Sequence, residues 1–473
     1  MRNLRKKHRA AAVSMLALAL GAGACGDINV PDYNRESISN LLNAPNRTRI
    51  DAATDGLLQN SRRDVAGRVR LTGIVGREAY YLDPNEQRYV SELVTGNIDP
   101  SSFAGNHDYS NPYGTIAQGQ MILAALEKVA ADQYTAAQKE AIRGFVLTIM
   151  GSDMLVVAQL HQYGPTEVNA DPLAAPSPMK TQAQLYARAA QYLDEAVPHL
   201  KAGGSAFTFP LPSGFTIGGS FTSPTNFIKF NRALRVRLDV LTQNYAAALV
   251  HLDSTFIATP TSPTRATFNQ GVYYTFSSAS GDLSNGLSSG SPELADTLLK
   301  TNAQLKVGGG RDDRYTLKVD SGSTVNRYSI KTFLRFRAYR VAGAQYAGAN
   351  SGASSPVPWI RNEELILDRA EARWFTGDKV GAMADLNYVR TNSGGLAPVA
   401  TPATDAGFVD LLLYEREYSL LYEGGHRWMD LRRFNRLNTL VNYPRTGDKS
   451  ITYFPVPFTE CLARGGAGSD LGC

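Results

Sequence analysis

Cysteine is scarce, with three in 473 residues, at positions 25, 461 and 473. So few thiols exclude a disulfide-dense scaffold, and with no other Cys or His at ligand spacing near Cys461 or Cys473 they argue against a zinc centre. The six histidines are scattered and form no metal-ligand spacing. Charged residues make up only 19% of the chain, and the net charge of +5 belongs to the first 24 residues, where Arg2, Arg5, Lys6, Lys7 and Arg9 meet no acid. The remainder is neutral, which removes the electrostatic basis for binding nucleic acid. H-E-x-x-H and Walker A patterns are absent. Beyond the N-terminal segment, no stretch reads as long and apolar enough for a transmembrane helix.

The start of the chain is a targeting pattern. Its basic residues precede Ala10–Ala24, fifteen apolar or small residues, short of the ~20 that span a bilayer and suited to a secretory leader. Ala22-Gly23-Ala24 before Cys25 resembles the bacterial lipobox, with Cys25 as the lipidated thiol. The plainer alternative is an ordinary signal peptide cleaved near Ala24. In an oxidising compartment Cys461 and Cys473 could close a short loop; otherwise they are two free thiols on a tail.

Helical periodicity is abundant. Ile122, Ala125, Leu126 and Val129 form one apolar helix face. A helix over Ala136–His161 stops at Gly164-Pro165, and Leu185, Ala189, Tyr192, Leu193, Ala196 and Leu200 line another. Asn226–Phe256 reads as two helices broken near Gln243-Asn244, and Val409, Leu412, Leu413 and Leu420 carry the last long helix. Arg361–Phe375 and Lys379–Arg390 flank the turn Thr376-Gly377-Asp378. Their text, EELILDRAEARWFTGDKVGAMADLNYVR, resembles a tetratricopeptide unit, with Ala370 and Ala382 at the close approach. The expected fold is mostly α, a tetratricopeptide-like helix-pair scaffold mainly over 113–256 and 361–437. A large irregular lobe of loops and short strands occupies 67–112 and 257–360, within one unit spanning 25–473.

The most specific text is YEREYSLLYEGGHRWMDLRRFNRL, residues 414–437. Glu415-Arg416, Glu423-Gly424, Arg427-Trp428 and the run from Asp430 through Arg432 to Arg433 resemble the closing signature of the SusD/RagB family. Ser419, where the family more often has Glu, and the second Gly before His426 depart from it. RNEELILDRAEARWFTGD, KFNRALRVRLDVL and the helix ending QLHQYGP also fit, so the resemblance spans nearly the whole mature chain. It implies a cell-surface, outer-membrane lipoprotein with no cofactor and no catalytic residues. Such a protein captures oligosaccharides, or alternatively oligopeptides, and passes them to a SusC-like TonB-dependent transporter barrel.

Two rival classes are a surface glycoside hydrolase and an adaptor that binds only protein. Glu415, Glu423 and Asp430 could supply a carboxylate pair, but acids and arginines here alternate at helical spacing, with Glu423 four residues before Arg427, as in structural ion pairs. Gly286-Leu287-Ser288-Ser289-Gly290 matches a nucleophile elbow by letter, yet it lies in a Ser/Gly-rich loop. For ligand capture the candidates are Arg77, Tyr80, Tyr81, Asn85 and Tyr89, with Tyr273, Tyr274 and Trp359 from the second loop region. Flat rings stack on the apolar faces of sugars while forked polar groups bond their hydroxyls; for any one of these residues, packing is the competing role. Acylation of Cys25 predicts that a Cys25→Ala variant, fractionated after expression, is exported yet soluble; its retention in the outer membrane through a high-salt wash would refute the anchor.

Overall fold

Ten of the longer helices are α1 (Arg47–Ser61), α2 (Val65–Val75), α3 (Ser110–Lys128), α4 (Ala136–Leu160), α5 (Gln182–Ala202), α6 (Pro224–Leu241), α7 (Tyr245–Leu252), α8 (Asn362–Phe375), α9 (Lys379–Asn392) and α10 (Asp405–Ser419); α11 (His426–Arg433) follows. The computed structural model describes residues 38–169, 175–288, 293–340 and 352–473; the leader, Cys25, Ser289 and Gly290 lie outside them. Local chemistry sets the helix starts. Thr135 with Gln138 forms a capping box on α4, Thr181 with Gln184 does so on α5, and Ser223 caps α6 ahead of Pro224. The break expected near Gln243 is present, with Gln243 at φ +58 between α6 and α7.

Helix α4 is long and apolar enough to cross a membrane by length and composition, which corrects the expectation that no such stretch follows the leader. Its apolar surface is spent inside the protein, because α5 and α3 cover it. The approach to α5 is close: a Cβ added at Gly144 would strike Leu200, and one at Gly151 would strike Leu193.

The strands are β1 (Ala79–Tyr81), β2 (Tyr163–Pro165), β3 (Met179–Thr181), β4 (Gly271–Tyr274), β5 (Glu293–Ala295), β6 (Val319–Arg327), β7 (Ile330–Phe336) and β8 (Val357–Arg361). They form an antiparallel sheet in the order β1-β5-β7-β6 and two antiparallel pairs, β2 with β3 and β4 with β8. The protein is mostly α with small sheets, as expected, but two boundaries move. The stretch 67–112, expected to be loop-rich, opens inside α2, and α1 adds a helix upstream of the expected scaffold. Cys461 and Cys473 form a disulfide that closes the C-terminal loop.

Among the described residues three buried carboxylates keep one oxygen without a partner, Oε2 of Glu78, Oδ2 of Asp153 and Oδ2 of Asp368, the last of which sits in the ionic network of Arg416. Burial pushes Glu78 up to about 8 and Asp153 up to about 7. With folded values above the unfolded ones, Glu78 and Asp153 stabilise the protein below the ordinary carboxylate range, and that stability is lost as pH rises through about 7 to 8. Glu78→Gln and Asp153→Asn should therefore melt close to the parent at pH about 4 and clearly above it at pH about 9; equal melting shifts at both pH values would contradict the assignment.

Candidate functional site

The closing motif folds into a buried ionic network. Glu415 accepts from Arg314 at 2.6 Å and Arg390 at 2.8 Å. Arg416 reaches Asp368 at 2.5 Å, Glu371 at 2.6 Å and Asp430 at 3.2 Å, and Arg433 holds the latter two as well. Burial and Arg361 act on Glu363 in opposite directions, and the arginine prevails, holding its carboxyl down at about 2. Arg432 donates to the carbonyls of Gln159 and Thr452 and lies over the rings of Trp428 and Tyr453, while Trp428 Nε1 donates to Ile451 O at 2.8 Å.

The expected Glu423–Arg427 pairing is corrected. Glu423 precedes α11, and Gly424 and Gly425, at φ +135 and +88, turn the chain between them. Glu423 instead accepts from Lys318 at 2.5 Å and Arg361 at 2.8 Å, whereas Arg427 pairs with Glu417 at 2.7 Å and the carbonyl of Gly76 at 3.0 Å. A side chain at Gly425 would collide with Thr72, which accounts for the second glycine. With each carboxylate of the motif tied to arginine or lysine, the arrangement offers no acid and base pair facing a shared opening.

The ligand candidates separate into three environments. Arg77 and Tyr80 are buried, and their proposed contact with a ligand is corrected. Arg77 donates to the carbonyls of Ile74, Val94, Tyr443 and Lys449, and the Tyr80 hydroxyl bonds Asp296. Tyr81 and Tyr89 are half-buried with ring centroids 4.4 Å apart; Tyr89 continues to Phe103 at 4.9 Å, Arg70 lies over Tyr81 and Arg88 over Phe103. Asn85 is exposed nearby in the chain. None of these lines the principal cavity.

That cavity is an open cleft of about 510 Å³ where α1, the turn Pro212–Phe215, β4 and the loop to Asp282 converge on Trp359 of β8. Tyr274 and Trp359 stack at 4.1 Å, and Phe215 and Phe276 extend the apolar floor; all four rings are buried, yet unlike Arg77 and Tyr80 they line the cleft. Trp359 is fixed from behind by Nε1 donating to Ser152 at 2.9 Å and by Arg237 donating to its carbonyl at 2.7 Å. The rim is polar. Arg62 donates to the carbonyl of Thr275 and to Asp282, while the side chains of Asp55 and Gln59, on the same face of α1, make no hydrogen bond among the described residues. Tyr273, Tyr274 and Trp359 line one cavity, apart from the Arg77–Tyr89 segment; Asp55, Gln59, Arg62 and Asp282 were not among the sequence candidates. Asp55, Gln59 and Arg62 had one sequence signal, the i, i+4, i+7 polar spacing along α1 and its C-cap; Asp282, in a loop, had none.

Two other features carry no chemistry. Asp64, His107 and Asp108 bring ligand-type atoms within 4.8 Å of one another, but Arg68 donates to Asp108 at 2.8 Å, and a guanidinium there opposes a cation. Gly286–Ser288 is a single 3₁₀ turn, and Ser288 Oγ donates to Asn285 O at 2.8 Å, so the nucleophile-elbow reading fails on its described residues.

The chain is a helical, tetratricopeptide-like frame carrying a cleft lined by aromatic and polar side chains. Residues 285–464 match the SusD family model. The fold is similar to that of SusD superfamily proteins. A member from Bacteroides vulgatus shares 16% identity with a TM-score of 0.68, over 88% of this chain and 97% of that one. A SusD-like carbohydrate binding protein from Bacteroides fragilis gives 14% and 0.69, over 90% and 99%. Surface glycan-binding protein A from Bacteroides thetaiotaomicron, in complex with laminarihexaose, gives 13% and 0.67, over 89% and 98%. No curated protein matches the sequence. The resemblance read from the closing motif is therefore shown: its region carries the SusD family pattern, and the chain carries the SusD fold.

Removing Glu423 would strand Lys318 and Arg361 inside the protein. Glu423→Ala is expected to cost about 3–5 kcal/mol in denaturant unfolding, and Arg427→Ala less, because Arg427 is freer of the central network. A Glu423→Ala protein with unchanged midpoint would show that the network is not structural.

Proposed function

We propose that the protein is a surface nutrient-binding lipoprotein that captures oligosaccharides in the cleft beside α1 and delivers them to a TonB-dependent outer-membrane transporter. The observation that carries the reading is the cleft itself: an aromatic floor under a rim whose Asp55 and Gln59 have no internal partner. Apolar floor and forked polar rim are what a sugar ring requires, stacking below and hydroxyl bonding at the edge. The laminarihexaose bound by a protein of the same fold supports an oligosaccharide ligand. Attachment through Cys25, exposure at the cell surface and partnership with a SusC-like barrel rest on the leader pattern and on the family resemblance.

The half-buried Tyr81–Tyr89–Phe103 cluster is a second surface of the right chemistry, and substitutions separate the two. Ser213 is exposed at the rim of the cleft, so Ser213→Trp closes it by volume without touching the core. In calorimetry against a panel of oligosaccharides and oligopeptides, this variant should lose about tenfold or more in affinity, about 1.4 kcal/mol, with its melting unchanged. If Ser213→Trp binds normally and Tyr81→Ala with Tyr89→Ala does not, the ligand lies on the outer cluster. Binding of peptides alone would replace the oligosaccharide reading.

A further inference from the structure

The polar groups of the cleft differ in what they have left to offer. Arg62 is the single basic residue lining it, facing two acids, Asp55 and Asp282. Its terminal nitrogens are already committed to Asp282 and to the carbonyl of Thr275, and its Nε, which has no hydrogen-bond partner, is buried out of a ligand's reach. The guanidinium also lies over the ring of Phe276, at 5.9 Å from the centroid, which fixes it further against the floor. The arginine is thus the strut that ties α1 to the loop ending at Asp282, and its charge is answered there. Asp55 is different. It stands one helical turn before Gln59 and two turns before Arg62 on α1, half-buried, and accepts no hydrogen bond from the described residues. Burial lifts its carboxyl above the ordinary range despite the opposing pull of Arg62, which marks a charge short of donors. A carboxylate accepts and never donates, and its two oxygens match adjacent hydroxyls of one sugar; Gln59 beside it both donates and accepts. A uronate or sulfate entering the same cleft would meet an uncommitted anion and no uncommitted cation.

We infer that the cleft takes uncharged oligosaccharides and excludes anionic ones, with Asp55 as the residue that both binds vicinal hydroxyls and rejects acidic sugars. The inference rests on the oligosaccharide reading and narrows it to a ligand class. Asp55 holds no internal hydrogen bond, so Asp55→Asn should keep the parent melting temperature while removing the charge at nearly constant shape.

The test is calorimetry at low ionic strength with laminarihexaose, maltohexaose, cellohexaose and xylohexaose as neutral probes and hexagalacturonate as the anionic one. The parent should bind at least one neutral hexasaccharide, and hexagalacturonate at least tenfold more weakly than the best of them. Asp55→Asn should lower the best neutral affinity about tenfold and shrink the gap between neutral and acidic probes. Hexagalacturonate binding as tightly as the best neutral probe, or an Asp55→Asn protein with the parent's affinities, would overturn the inference while leaving oligosaccharide capture standing. If none of the probes of either charge binds, the oligosaccharide reading itself falls, and this inference with it.

Discussion

Arg361 sits at the end of β8 with no exposed surface, and its guanidinium reaches Glu423, Glu363 and the carbonyl of Ser419 at once. Lys318, equally buried, closes the other side of Glu423. Around this centre, Arg314, Arg390, Arg416 and Arg433 bind the acids of α8, α10 and α11. A buried ionic network adds little net stability over an apolar core of the same volume. Its effect is on alternatives, since any shift of register would bury charges without partners. The closing motif is therefore a lock on how the last helices meet β8 and the strand lobe.

The same strand carries the wall of the cleft. Trp359 stands two residues before Arg361 in β8, and Arg237 joins the two regions by donating to Trp359 O and pairing with Glu364 at 2.7 Å. Tyr274 stacks on Trp359 from β4, the partner strand of β8. The aromatic floor is thus fixed by the network behind it, whereas the rim comes from α1 and a loop.

Helix α4 shows how composition and context diverge. By length and apolarity it could cross a membrane, yet α3 and α5 cover it, and glycines at 144 and 151 let α5 approach. The same apolar content serves as the core around which the helix pairs are arranged.

Local pattern determined most of the helices. Apolar spacing, capping residues and Gly/Pro stops act within a few residues of one another, so α3 to α10 could be read from the sequence, and the closing motif lies in the region that matches the SusD family model. Which partner each charge takes was a tertiary decision. Glu423 meets Lys318 across 105 residues and Arg361 across 62, while Arg427, at the expected helical spacing, is turned away by two glycines. The cleft was decided in the same way, since its lining comes from four separated segments that share no local pattern. Tyr80 and Tyr81 give the plainest case. The two are chemically alike and adjacent, but successive side chains of a strand face opposite sides. Only the packing of β1 against β5 settles that Tyr80 is buried on Asp296 and Tyr81 lies beneath Arg70 at the surface.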